Sequence, residues 1–151
     1  MARRLKIGDL VEIPTRKGLS YAHYTHKDEV CGQLIFVYKG FYNERPEILE
    51  EILEKEVQFY IFFPLTNSVN HGDMTFVKNI PLAKHEIDFP LFRTGLADPK
   101  TKKIEDWWIW DGKNSIRVGA LNDEQKKIPR RGVWNDTLLI ERIEAQWSPD
   151  Q

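Results

Sequence analysis

The chain has 151 residues, 41% of them apolar and 30% charged, with a formal net charge of −1. That length suits one domain with a core of useful size, and the balance excludes a disordered chain, a membrane-embedded chain and a polyanion binder relying on bulk charge. The longest apolar stretch, FYIFFPL, falls well short of the roughly 20 residues of a membrane span, and the basic opening MARRLKIGDL has no apolar run of secretion-signal length.

In chain order, DLVEIP (9–14) alternates Val11 and Ile13 with Leu10, Glu12 and Pro14, the period of a half-buried strand. Gly8 and TRKG punctuate its ends. LSYAHY and EVCGQLIFVY, rich in β-branched and aromatic residues, complete an antiparallel meander, and Gly32 inside the latter predicts a bulge or bend. NERPEILEEILEKE (43–56) changes period: Ile48, Leu49, Ile52 and Leu53 form one helical stripe, with Pro46 suited to the first turn. VQFYIFFPL (57–65) is apolar on both faces and reads as a central strand. TNSVNHGD reads as turn chemistry, followed by strands in MTFVKNIPL and FPLFRTG. IEDWWIWDG and NSIRVGAL meet at DGKN, a hairpin signal. Two helical signals close the chain: NDEQKK, capped by Asn122 and stopped by Pro129, and NDTLLIERIEAQW, capped by Asn135 or Asp136, with Leu139, Ile140, Ile143 and Trp147 on one face. The expected fold is α+β: a single domain with a curved, mainly antiparallel sheet of about seven or eight strands, barrel-like if it closes, and about three helices packed on it.

Charge is segregated. Residues 1–17 carry +3, residues 44–56 carry −4, and KKIPRR (126–131) carries four cations and no anion. Such poles can steer a charged partner, although a charge run also serves as a solvated face.

Few residues point to a reaction. His23 and His26 stand as H-x-x-H without further ligands at zinc spacing, so no metal is expected. Cys31 cannot form an intrachain disulfide; its neighbours Val30, Leu34 and Ile35 predict a buried core thiol in a reducing compartment, hence a cytoplasmic location. No Gly-rich phosphate loop is present, so no nucleotide cofactor is expected. The carboxylates of EILEEILEKE and of Glu105 and Asp106 suit solvated surfaces. Within WWIW, alternation puts Trp107 and Ile109 on one face and Asp106, Trp108 and Trp110 on the other. The cluster is either core on both sides or, if one face is open, a partner anchor rimmed by Asp106 and Asp111.

KIGDLVEIP resembles the opening strand of SH3-like barrels, some of which bind nucleic acid or peptides. More extensively, KIGDLVEIP with its glycine turn and YAHY, then WWIWDG and VGALNDEQKKIPRRGVWNDTLLIERIEAQWSP, resemble the immunity protein 26 family of bacterial polymorphic-toxin systems. In this chain AHYTHKDEVCG defers the early glycine to Gly32. The resemblance implies a cytoplasmic protein that neutralises a cognate toxin, often a basic nuclease, by tight binding and without catalysis, cofactor or metal. Glu47, Glu50, Glu51 and Glu54 would then steer and rim the interface, with Trp108 and Trp110 as anchors and Asp106 beside them. An organophosphate-hydrolase label on a family relative implies an alternative, a small phosphate-ester hydrolase in which His23 or His26 would act.

Overall fold

In a computed structural model of the protein, which describes residues 2–150, turn chemistry divides the first part of the chain as its pattern predicts. Strands β1 (Asp9–Thr15), β2 (Gly18–Asp28) and β3 (Gly32–Tyr42) form an antiparallel meander. Gly18 holds a positive φ of 127° in the first turn, a conformation that a side chain would strain. Gly32 opens β3 at φ 90° rather than bulging within it. Cys31 therefore sits in the turn before the strand, partly buried, and Val30 beside it is 92% exposed. The expected fully buried thiol is corrected to a partly buried one: the turn carries Val30 into solvent while Cys31 still packs against the core, with the Val30 and Cys31 amides donating to Asp28 Oδ2 at 2.9 and 2.8 Å.

The acidic segment does not form the long helix its stripe predicts. A six-residue 3-10 turn spans Leu49–Glu54, and Pro46 lies ahead of it. Ile52 and Leu53 bury themselves in the core while the glutamates stay in solvent, so one short turn satisfies the apolar pattern. β4 (Val57–Phe62) follows, then α1 (Leu65–Asn70) in a stretch whose composition reads as turn, β5 (Thr75–Asn79) and α2 (Lys84–Ile87).

The large sheet runs β4-β3-β2-β1-β5, so β4 is an edge strand, not the central strand its two apolar faces predict. Both its faces are covered for another reason. On one side Phe59 and Ile61 join Val11, Ile13, Ala22, Tyr24, Ile35 and Val37 beneath α3 (Asp136–Glu144) and its buried Leu139 and Ile143. On the other, Phe62 joins Leu10, Tyr21, Leu34, Phe36 and Tyr38, which pack with Phe92 and Trp110. Each such fully buried large side chain contributes about 1.5–3 kcal/mol of transfer free energy.

Phe92 and Trp110 belong to a second antiparallel sheet, β6-β7-β8, made of Phe92–Gly95, Trp107–Trp110 and Ser115–Gly119. The DGKN hairpin is present: Asp111 accepts from the amides of Lys113 and Asn114 at 2.9 and 2.7 Å, and Gly112 takes φ 98°. The fold is thus α+β with two open antiparallel sheets, and neither closes into a barrel. A second 3-10 turn, Gln125–Lys127, stands where NDEQKK predicts a helix. The helix α3 starts as expected, with Asn135 Oδ1 accepting from the Leu138 amide at 2.9 Å. Among the described residues no helix is long and apolar enough to cross a membrane.

A candidate arginine and tryptophan groove

The basic run at the end of KKIPRR is placed by backbone pairing. The Arg93 amide donates to Pro129 O at 2.9 Å and the Arg131 amide to Arg93 O at 3.0 Å, which lays Pro129–Arg131 beside β6 as a parallel bridge. Three residues on, Val133 bridges Phe62 in parallel and the Trp134 amide donates to Phe62 O at 3.1 Å. One extended segment thereby splices the small sheet to the edge of the large one. It also gathers Arg93, Arg130 and Arg131.

These arginines line an open groove of about 660 Å³ with Thr94, Gly95, Leu96, Ile104, Asp106, Trp107 and Trp108. Arg93 is only 8% exposed; its Nε donates to Ile128 O at 2.7 Å and an Nη to Pro149 O at 3.3 Å. Burial and the neighbouring Arg130 charge push its pKa down. Among the described residues no carboxylate lies within ion-pair distance of Arg93, Arg130 or Arg131. Asp106, the acid on the groove, is engaged by Arg117 Nε at 2.8 Å.

Guanidinium groups stand over four of the five tryptophans. Arg93 and Arg130 lie 4.7 and 5.3 Å from the Trp107 ring, Arg131 lies 4.7 Å from Trp110, and Arg142 lies 4.4 and 5.4 Å from Trp147 and Trp134. Trp108 has no such cap among the described residues and is 40% exposed. Trp110, two residues on, is 8% exposed under Phe62, Phe89 and Phe92. Alternation alone would give the two rings the same surroundings. They differ in what lies over them: Phe62, Phe89 and Phe92 pack on Trp110, whereas among the described residues no aromatic ring or guanidinium packs on Trp108. Trp110 is a core residue, and of the two expected anchors only Trp108 is available to a partner.

Of the acidic candidates, Glu47, Glu50, Glu51 and Glu54 are all exposed. Glu50 pairs with Lys78 at 2.6 Å, which holds its carboxyl below the usual range. The acidic turn leads into the Val57 end of β4, whereas Trp110 packs on Phe62 at the other end. Five residue steps along a strand span roughly 17 Å, so the acidic turn and the tryptophan strand form separate surfaces. Asp111 serves the hairpin turn, whose amides pull its carboxyl pKa down.

His23, His26 and His85 are committed to structural contacts. His23 is fully buried; its Nδ1 contacts Glu86 at 2.7 Å and its Nε2 donates to Gly8 O and Ile80 O, both at 2.9 Å. Burial opposes charge on both partners, but the bonds between them prevail, holding His23 above and Glu86 below their ordinary pKa values. Tyr38 donates to Glu86 at 2.7 Å and accepts from His85 at 2.7 Å. His26 bonds Thr25 Oγ1 and Ile87 O, each at 2.9 Å. A substrate phosphate has no route to His23, and among the described residues no three His, Cys, Asp or Glu gather as a metal site.

Arg93 and Glu86 were not singled out by sequence reasoning. The only local signals were an arginine in an apolar strand, FPLFRTG, and a glutamate before DFP. Comparison of the chain with family models, curated proteins and solved structures returns no match.

Proposed function

We propose that the protein is an immunity protein of a polymorphic-toxin system, which neutralises its cognate toxin by binding it tightly. The observation that carries this reading is Trp108: a large indole, uncapped among the described residues and half-exposed on a strand held in place by its buried neighbours Trp107 and Trp110. Tryptophan held on a rigid element loses little entropy on binding and is enriched among residues that dominate interface energetics. Leu96, 91% exposed on the same groove, extends the apolar contact. Glu47, Glu51 and Glu54, which have no ion-pair partner among the described residues, offer a separate acidic surface for attracting a basic toxin domain. The action is steric: the toxin is occupied, and no bond is made or broken.

The test is stoichiometric complex formation between the purified chain and the toxin-like product encoded beside it, followed by calorimetry and a toxin activity assay. Trp108→Ala is expected to weaken binding by about 2 kcal/mol, roughly 30-fold. Replacing Glu47, Glu51 and Glu54 with glutamine should slow association and flatten its salt dependence. If no neighbouring toxin-like product binds or is inhibited, the proposal fails.

A further inference from the structure

We infer that the open edge of β8 pairs with the same edge of a second copy of the chain, joining the two small sheets into one continuous antiparallel sheet about a two-fold axis. Among the described residues the sheets end in the edge strands β4, β5, β6 and β8. The segment 129–134 lies against two of these edges, bridging β6 at Arg93 and β4 at Phe62. On β5 every exposed residue is polar, Thr75, Lys78 and Asn79, and an edge lysine deters strand addition. β8 has neither protection. Its Ile116 stands 67% exposed, and the charge of its Arg117 is engaged by Asp106.

Register points to a second copy as the occupant. The Asp111 amide donates to Asn114 O across the hairpin, so Ile116, two residues on, is the next residue to bond β7, opposite Ile109. The backbone N–H and C=O groups of Ser115 and Arg117 then point away from β7, and both residues are exposed. A two-fold axis through Ile116 sets Ser115 opposite the second copy's Arg117 and Arg117 opposite its Ser115, and each of these pairs exchanges N–H and C=O. Ile116 falls in the non-hydrogen-bonded pair between them, where facing Cα atoms stand roughly 4.5 Å apart. Its side chain shares a face with Ile109, so Ile109 and Ile116 of both copies form one apolar row across the axis. No charge meets its like: Arg117 faces a serine, whereas an axis through Arg117 would set guanidinium against guanidinium. Val118 is left unpaired between Arg117 and Gly119, and this bulge ends the regular edge just past the contact. Such a short isologous contact closes at two copies and belongs to the weak class of interfaces, with dissociation expected at roughly 10–100 μM.

Analytical ultracentrifugation of the intact chain from about 10 μM to about 1 mM is expected to show a monomer–dimer equilibrium. Ile116→Lys sets two ammonium groups on the axis and should weaken the dimer by about tenfold or more. Arg117→Pro removes an outward N–H from each copy without removing a donor to β7, and should weaken it similarly. Val30→Lys, at a position 92% exposed in the turn between β2 and β3, should alter nothing. A cysteine pair tests the same register without a proline. In a Cys31→Ser background, Ile116→Cys should oxidise to a disulfide-linked dimer, whereas Arg117→Cys, whose copies stand on a diagonal of roughly 7–8 Å, should not. A monomer throughout the concentration range, a dimer that Ile116→Lys leaves unchanged, assemblies larger than two, or equal cross-linking at 116 and 117 would each overturn the assignment. No toxin enters these measurements, so their outcome is separate from that of the proposed function.

Discussion

Replacing Glu86 with glutamine changes one oxygen into an NH₂ at the most buried charge of the molecule. Glu86 accepts three hydrogen bonds: from His23 at 2.7 Å, from Tyr38 at 2.7 Å and from the Ala83 amide at 2.8 Å. Its carboxylate is fully buried, as is His23. An amide can satisfy only one side of this arrangement. Its NH₂ either faces the Ala83 N–H, donor against donor, or faces His23, which must then give up the Nδ1 proton and its charge. Removing one partner of a buried ion pair costs about 3–5 kcal/mol, because the other is left uncompensated. With a urea slope of about 2 kcal/mol/M, Glu86→Gln should lower the unfolding midpoint by roughly 2 M. The pH profile should change with it. The raised His23 pKa contributes stability that is fully present below its unfolded value and lost as pH rises through the folded one. The lowered Glu86 pKa contributes stability present above its unfolded value and lost as pH falls through the folded one. The native protein therefore has its pair-derived stability between these limits, and the variant should lack both flanks. Urea unfolding followed by far-UV circular dichroism across pH measures this directly. A loss below 1 kcal/mol, with both flanks intact, would refute the claim that a charged His23–Glu86 pair holds α2 to the sheet.

Two further outcomes follow from the tryptophan hairpin. Trp110→Ala should cost about 3–5 kcal/mol in thermal or urea unfolding, whereas Trp108→Ala, with its half-exposed ring, should cost under about 1 kcal/mol; similar losses at both positions would contradict the assignment of Trp110 to the core and Trp108 to the surface. Gly112→Ala should destabilise the protein by more than about 1 kcal/mol, because a Cβ there would stand 2.7 Å from the Phe89 ring on a backbone at φ 98°; an unchanged melting temperature would show that the turn can readjust.

Much of the fold was legible in short stretches. The β1–β3 meander follows from two-residue alternation and glycine turns, the β7–β8 hairpin from DGKN, and α3 from an Asn135 cap ahead of Leu139 and Ile143. In each case the interactions that decide the structure lie within a few residues, where sequence patterns register them. The acidic stripe misled because two buried residues, Ile52 and Leu53, satisfy a 3-10 turn as well as a long helix. β4 misled because two apolar faces report that both are covered, not that strands flank both edges.

The groove lay beyond such patterns. Arg93 and Arg130 stand 37 positions apart and meet through a parallel backbone bridge, and backbone pairing is nearly blind to side-chain identity. His23 and Glu86 stand 63 positions apart, joined when α2 closes over the sheet. The tryptophan strand shows both sides of this. By itself the sequence determined that Trp108 and Trp110 share a face, because the period of a strand is local. Only the tertiary structure decided that one is core and the other open, because burial depends on which sequence-distant rings, here Phe62, Phe89 and Phe92, come to lie over each indole.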